Sequence, residues 1–166
     1  MFTLKPIDPQ AVPKALEKAE RYRLLNEPEE AESICLDVLG IEPDNQEALV
    51  MLLLALTDQF RTGPPDCVSR AQEVLPKLHG EYERHYYAGI ICERRGSAQL
   101  DRGGPGSGGV AHGWFRQAMG WYEQAESARP AHNDDAILRW NTCARIIMKH
   151  DLKPSAAESF EPVMQE

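Results

Sequence analysis

The stretch from Leu36 to Leu49, LDVLGIEPDNQEAL, constrains this chain more than any other part of it. An amphipathic helical pattern runs into a Pro43-Asp44-Asn45 corner, and a second helical pattern starts at once with Gln46, Glu47, Ala48 and Leu49. Proline has no N–H and a fixed φ, so the first helix must stop before it. Asparagine is a residue type that satisfies the free N–H groups of a new helix. A related corner returns between Ala125 and Ile137, around Pro130, with His132-Asn133-Asp134-Asp135 leading into the next helical pattern. A helix, a proline corner and a second helix recurring in one chain are the pattern of a helical repeat protein. Such a chain presents a surface for holding another molecule rather than a pocket for chemistry.

Apolar residues recur at helical intervals along most of the chain and almost nowhere alternate in twos, so an all-α fold is expected. Residues 1–10 read as an extended lead-in. The first helix runs from Ala11 toward Leu25, with Pro13 in its first turn, and Asn26-Glu27-Pro28 breaks it. The second spans Glu29 to Leu39, and Gly40 is the candidate left-handed cap at its end. The third starts after Asn45 and runs to about Phe60. A Thr62-Gly63-Pro64-Pro65-Asp66 turn follows. The fourth, Asp66 to Leu78, contains Pro76, which shortens its last turn. The fifth covers Glu81 to about Leu100. Gly103 to Gly109 is a flexible linker by composition. The sixth covers Val110 to Ala128 and the seventh Asp135 to about His150. Residues 151–166, with Pro154 and Pro162, form a frayed tail.

Charge and apolar content narrow the partners. The net charge of −8 excludes a general affinity for nucleic acid or anionic lipid and mildly favours basic partners. No apolar run near Met1 resembles a signal peptide. The longest apolar run, Ala48 to Leu56, is well short of the roughly 20 residues of a membrane helix. Cys35, Cys67, Cys92 and Cys143 are widely spaced, without a Cys-x-x-Cys pair, which points to reduced thiols and a cytoplasmic location.

At this level of detail the chain resembles tetratricopeptide repeats, whose units of about 34 residues are helix–turn–helix pairs. Ala19, Tyr22, Ala31, Cys35, Val38 and Pro43 fall at the motif spacings in a first unit, and Leu49, Leu52 and Leu56 continue them in a second. Gly89, Gly96, Ala118, Tyr122, Ala125 and Pro130 match in a third. The second unit lacks an exit proline. The third separates Gly96 from Ala118 by many more residues than the family spacing, so its helices must be extended around the glycine-rich stretch. Lys18 stands where a large apolar residue is usual. The resemblance implies a single domain over 11–150, a right-handed superhelical stack of antiparallel helix pairs capped by the seventh helix. It also implies a concave groove that receives a peptide. By motif register the groove would be lined by Val50, Leu54, Tyr86, Ile90, Arg94, Leu138 and Arg145, an apolar strip with cationic ends. Arginine there suits a carboxylate or an acidic flank on the ligand. The Lys/Asn carboxylate clamp of some family members is not matched.

Other motifs favour plain structural roles. The glycine stretch has no preceding strand and no Gly-Lys-Ser/Thr, so it is a connection rather than a phosphate loop. His132 to Asp135 stand where helix caps belong, and the other histidines lack ligand spacing. Cys92 and Cys143 read as buried core thiols. Trp121, Tyr122 and Trp140 read as packing residues, whereas one of the adjacent Tyr86 and Tyr87 must face outward. The expectation is therefore a non-enzymatic protein–protein interaction module with no cofactor or metal. The alternatives are a chaperone for one secreted or membrane client, or self-association into a homodimer. An enzyme would rest on the glycine stretch and scattered Cys and His alone.

Overall fold

The computed structural model describes residues 1–156. Among them the chain forms seven α-helices, two single-turn 3-10 segments and no strand, so the all-α expectation holds. None of the helices is long and apolar enough to cross a membrane. Where the repeat pattern implies one domain over 11–150, the chain divides into two compact units, one ending at Gly80 and the other beginning at Glu81.

In the first unit, the Asp8 carboxylate accepts the Gln10 N–H at 3.0 Å and starts a 3-10 turn, Pro9–Ala11, that feeds α1 (Val12–Leu24). Asn26 ends α1 with a left-handed φ of 60°. The N–H of Glu27 then reaches back to the Tyr22 carbonyl at 2.8 Å, closing the helix end before Pro28 opens α2 (Pro28–Ile41). Gly40 is not the cap expected of it: it lies inside α2, which continues to Ile41. The reason is burial, since Ile41 packs with Ile7, Ala15 and Leu39 against Val12, Leu16, Val38 and Ala48. Asn45 caps α3 (Gln46–Asp58) as expected, its Oδ1 accepting the Ala48 N–H at 2.9 Å. The Glu42 carboxylate in turn accepts from the Asn45 amide at 2.7 Å. The shorter α4 (Cys67–Val74) tightens at Pro76 into a 3-10 turn, Leu75–Lys77.

Polar ties link equivalent places in successive pairs. Arg23 donates to Asp58 at 2.8 Å, from the end of α1 to the end of α3, 35 positions on. His79 and Asp44 meet at 2.9 Å, again 35 positions apart, at the opposite corner. Arg70, near the start of α4, pairs with Glu32, near the start of α2. Thus α1 runs the same way as α3, and α2 the same way as α4. Between these ties the helices touch through Ala19, Ala31, Cys35, Ala48 and Ala55, all fully buried.

The second unit consists of α5 (Glu81–Arg102), α6 (Ser107–Ser127) and α7 (Asp135–Lys149). The two long helices confirm the extended pair that the wide Gly96–Ala118 spacing requires. Gly89 faces Tyr122, Gly96 faces Phe115 and Gln99 reaches Ser107, so α5 and α6 run antiparallel. The connection is shorter than the expected linker. Only 103–106 lie outside helix, and Gly103, Gly104 and Gly106 take left-handed φ values of 65°, 92° and 76°. These are cheap for glycine and strained for any other residue. Ser107 starts α6 and donates its hydroxyl to the Gln99 carbonyl at 2.6 Å, tying the turn shut. At the far end Asp151 is left-handed (φ 46°) and the Leu152 N–H returns to the Ile147 carbonyl at 3.0 Å. Of the expected tail, Leu152 and Ser155 are half-buried against the first turn of α6, while 151, 153, 154 and 156 are exposed. The rest of the expected tail, 157–166, lies outside the described residues.

Two glycine-to-alanine changes have opposite expected outcomes. At Gly40 an added Cβ meets nothing within 4 Å. Gly40→Ala is expected to stabilise by about 0.5–1 kcal/mol through helix propensity. At Gly89 the Cβ would stand 2.4 Å from the Tyr122 ring, and Gly89→Ala is expected to destabilise by about 1–3 kcal/mol. Urea unfolding of the two variants checks both signs.

Candidate functional site

The groove residues expected from the repeat register do not share one environment. Val50 and Leu54, one turn apart on α3, are half-buried in the first unit. In the second unit Tyr86 and Arg94 on α5 are half-buried. Ile90 is not available to a partner. At 1% exposure it belongs to the core, because α5 is packed along a wider arc than a two-helix register assumes. Leu138 is 61% exposed and Arg145 is exposed on α7. Both lie on the side of α7 opposite Ala136 and Cys143, which are fully buried.

Tyr86 is the anchor of an aromatic cluster rather than a free ring. It stacks on Tyr82 with ring centroids 5.7 Å apart, meets Tyr87 edge-on at 5.1 Å and tilts against Tyr122 at 5.9 Å. The expectation that one of Tyr86 and Tyr87 faces outward fails, since both are half-buried. Burial first, and the neighbouring Tyr86 second, push the Tyr82 and Tyr87 phenols up to about 12. Tyr122 is in the core as expected, while Trp121 stacks on His85 at 5.6 Å and Trp140 donates to Glu123 at 2.9 Å, both at half-buried positions. Arg95 lies 3.6 Å over the Trp114 ring.

Behind this cluster sits a polar centre that the sequence reading missed. The Glu93 carboxylate is 5% exposed. It accepts the Tyr122 hydroxyl at 2.6 Å on one oxygen and Arg139 at 3.0 Å on the other, so one residue joins α5, α6 and α7. Tyr86 lies close enough to Arg139 to favour its charged form. Burial opposes the Arg139 charge, but the facing Glu93 carboxylate, with Tyr86 nearby, outweighs it and holds the guanidinium protonated. Burial, reinforced by Glu93, keeps both the Tyr122 phenol and the Cys143 thiol neutral. A readable signal existed: Gly89, Glu93 and Gly96 fall at i, i+4 and i+7, so a carboxylate shares a stripe with two close-contact glycines. Such a charge requires a buried cation to face it.

Chemically, this arrangement holds shape and does not activate a nucleophile. All four cysteines are free thiols in buried positions, and burial raises the Cys35 thiol to about 12. Deprotonation, which nucleophilic sulfur needs, is disfavoured at each of them. Among the described residues no group of three or more His, Cys, Asp or Glu side chains could hold a metal ion. His132 to Asp135 form a helix start: Asn133 Oδ1 accepts the Asp135 N–H at 3.0 Å and the Tyr82 hydroxyl at 3.4 Å. In the first unit an open cleft of about 400 Å³ is lined by Glu27, Glu29, Glu30 and Asp58, a surface that favours cationic groups. No protein-family model matches the chain, and no curated protein or solved structure is similar to it.

Two measurements test the polar centre. Glu93→Ala and Arg139→Ala are each expected to destabilise by about 2–4 kcal/mol, because each strands a desolvated partner. The double variant should lose much less than the sum, and additive losses in denaturant unfolding would mean that the pair is not coupled. The raised Cys35, Tyr82 and Tyr87 groups set an alkaline limit. Below about pH 9 both states hold these protons and the stability is whole. Above that the unfolded chain releases protons that the folded chain retains, so stability falls between about pH 9 and 12. A urea midpoint unchanged up to pH 11 would contradict this.

Proposed function

We propose that the protein is a non-enzymatic interaction module of the tetratricopeptide type, a cytoplasmic adaptor whose helix pairs stack as a right-handed superhelix and hold a segment of another protein. The observation that carries the reading is the one-repeat displacement of the polar ties in the first unit. Arg23 with Asp58 and Asp44 with His79 are each 35 positions apart, close to the family repeat of about 34 residues. Equivalent residues of successive pairs meet, as they do when pairs of that length stack. The fully buried Ala19, Ala31, Cys35 and Val38 in the first unit, and Ala118, Tyr122 and Ala125 in the second, occupy the motif's contact positions and support the same reading.

Each unit then offers candidate recognition residues of its own. Val50 and Leu54 offer partial apolar contact on α3 of the first. Leu138 and Arg145 are the open positions of the second, an apolar anchor beside a cation, which suits an apolar segment with an acidic flank. Tyr86 and Arg94 contribute only the parts of their side chains left outside the packed cluster.

The test uses exposed residues whose substitution spares the core. Leu138→Glu and Arg145→Glu should leave Tm within about 2 °C of the parent. They should also abolish or weaken by at least about tenfold the retention of a protein partner in quantitative crosslinking. A partner bound equally by both variants would remove α7 from the surface. A dimer that dissociates on the same substitutions would instead favour self-association.

A further inference from the structure

Gly108 and Gly109 stand in the first turn of α6, where alanine would make a better helix. For Gly109 the reason is on the opposite side of the chain. A Cβ on Gly109 would lie 3.1 Å from Ser155 Cα, 3.1 Å from its Cβ and 3.2 Å from its backbone nitrogen. A Cβ on Gly108 would lie 3.6 Å from Leu152 Cδ2, an ordinary contact that places Leu152 over the same turn without requiring glycine there. Two of the three contacts at Gly109 are with main-chain atoms, which cannot swing aside as a side-chain tip can. The segment that arrives there is itself directed. Asp151 is left-handed, the Asp151 N–H returns to Met148 and the Leu152 N–H to Ile147, so the end of α7 turns the chain back toward α6. Lys153 pairs with Asp151 at 3.1 Å across the bend, and Pro154 has its φ fixed by its ring.

We propose that residues 151–155 are a strap that latches the C-terminal end of α7 onto the N-terminal turn of α6, and that Gly109 is the seat cut to admit it. The strap prolongs the antiparallel pairing of α6 with α7 past the end of α7. Closed, it holds the last turn of α7. Open, it frees that turn and the start of α6 together.

The seat makes a prediction of sign. In the full-length chain Gly109→Ala should lower Tm by about 2–4 °C, because main chain must move to admit the methyl group. In a full-length chain with Leu152→Gly, Lys153→Ser, Pro154→Gly and Ser155→Gly, the same Gly109→Ala should leave Tm unchanged or raise it, since helix propensity then acts alone. An equal fall in both backgrounds, or no fall in the first, overturns the seat. Amide exchange on the unaltered chain gives a reading that needs no variant. The Leu152 amide should exchange at least about tenfold slower than an unstructured amide, and exchange at the unstructured rate overturns the strap. Replacing 152–155 should also speed exchange at Val110, whose N–H bonds Gly106 in the first turn of α6, by about threefold or more. An unchanged Val110 rate overturns the coupling between strap and helix start.

Discussion

Helices can pack closely only where one of them gives up side-chain volume, and both units of this protein are arranged around that constraint. In the second unit Gly89 and Gly96 let α5 approach the rings of Tyr122 and Phe115 on α6. In the first, alanines and Cys35 do the same for shorter helices. The close approach is what brings Glu93 within reach of both Tyr122 and Arg139. With a larger residue at position 89 the ring would move, and the carboxylate would lose the hydroxyl that accounts for half of its bonding. Packing and polar satisfaction are thus one problem here: the small residues set the spacing and the buried charge depends on it.

A buried ion pair adds little net stability compared with an apolar core of the same shape, because desolvation offsets most of the attraction. Its effect is on uniqueness. Glu93 accepts from one donor on α6 and one on α7, in directions that α7 satisfies only in one register. An all-apolar seam between α6 and α7 would tolerate sliding by a turn more readily. The Tyr122 ring that donates to Glu93 also tilts against Tyr86, so the aromatic cluster on the flank of α5 adjoins the same charge.

Much of the local structure was legible because single residues carry it. Asn45 as a cap, Pro76 as a terminator and the extended α5–α6 pair follow from backbone chemistry that needs no knowledge of neighbours. Gly40 misled because glycine only permits a left-handed cap; the burial of Ile41, a tertiary fact, carried the helix past it. The same holds for Gly109, which reads by composition as part of a linker and whose role is clearance for a segment more than forty positions later. Ile90 was assigned outward by a two-helix register, but α5 buries every residue from 88 to 93 and so a wider arc. Glu93 and Arg139 were missed because a charged residue in a helix is ordinarily solvated, and only the third dimension brings these two together.

The polar ties of the first unit have a mechanical consequence. They lie at both rims of the helix stack, with apolar contacts between them. The ties at one rim, Arg23 with Asp58 and Arg70 with Glu32, are largely shielded from water, whereas His79 and Asp44 at the other are well exposed. Water competes for an exposed hydrogen bond far more effectively than for a shielded one. One edge therefore gives before the other, and the compliance of this half of the molecule is lopsided, like a book whose binding is stiffer than its fore-edge.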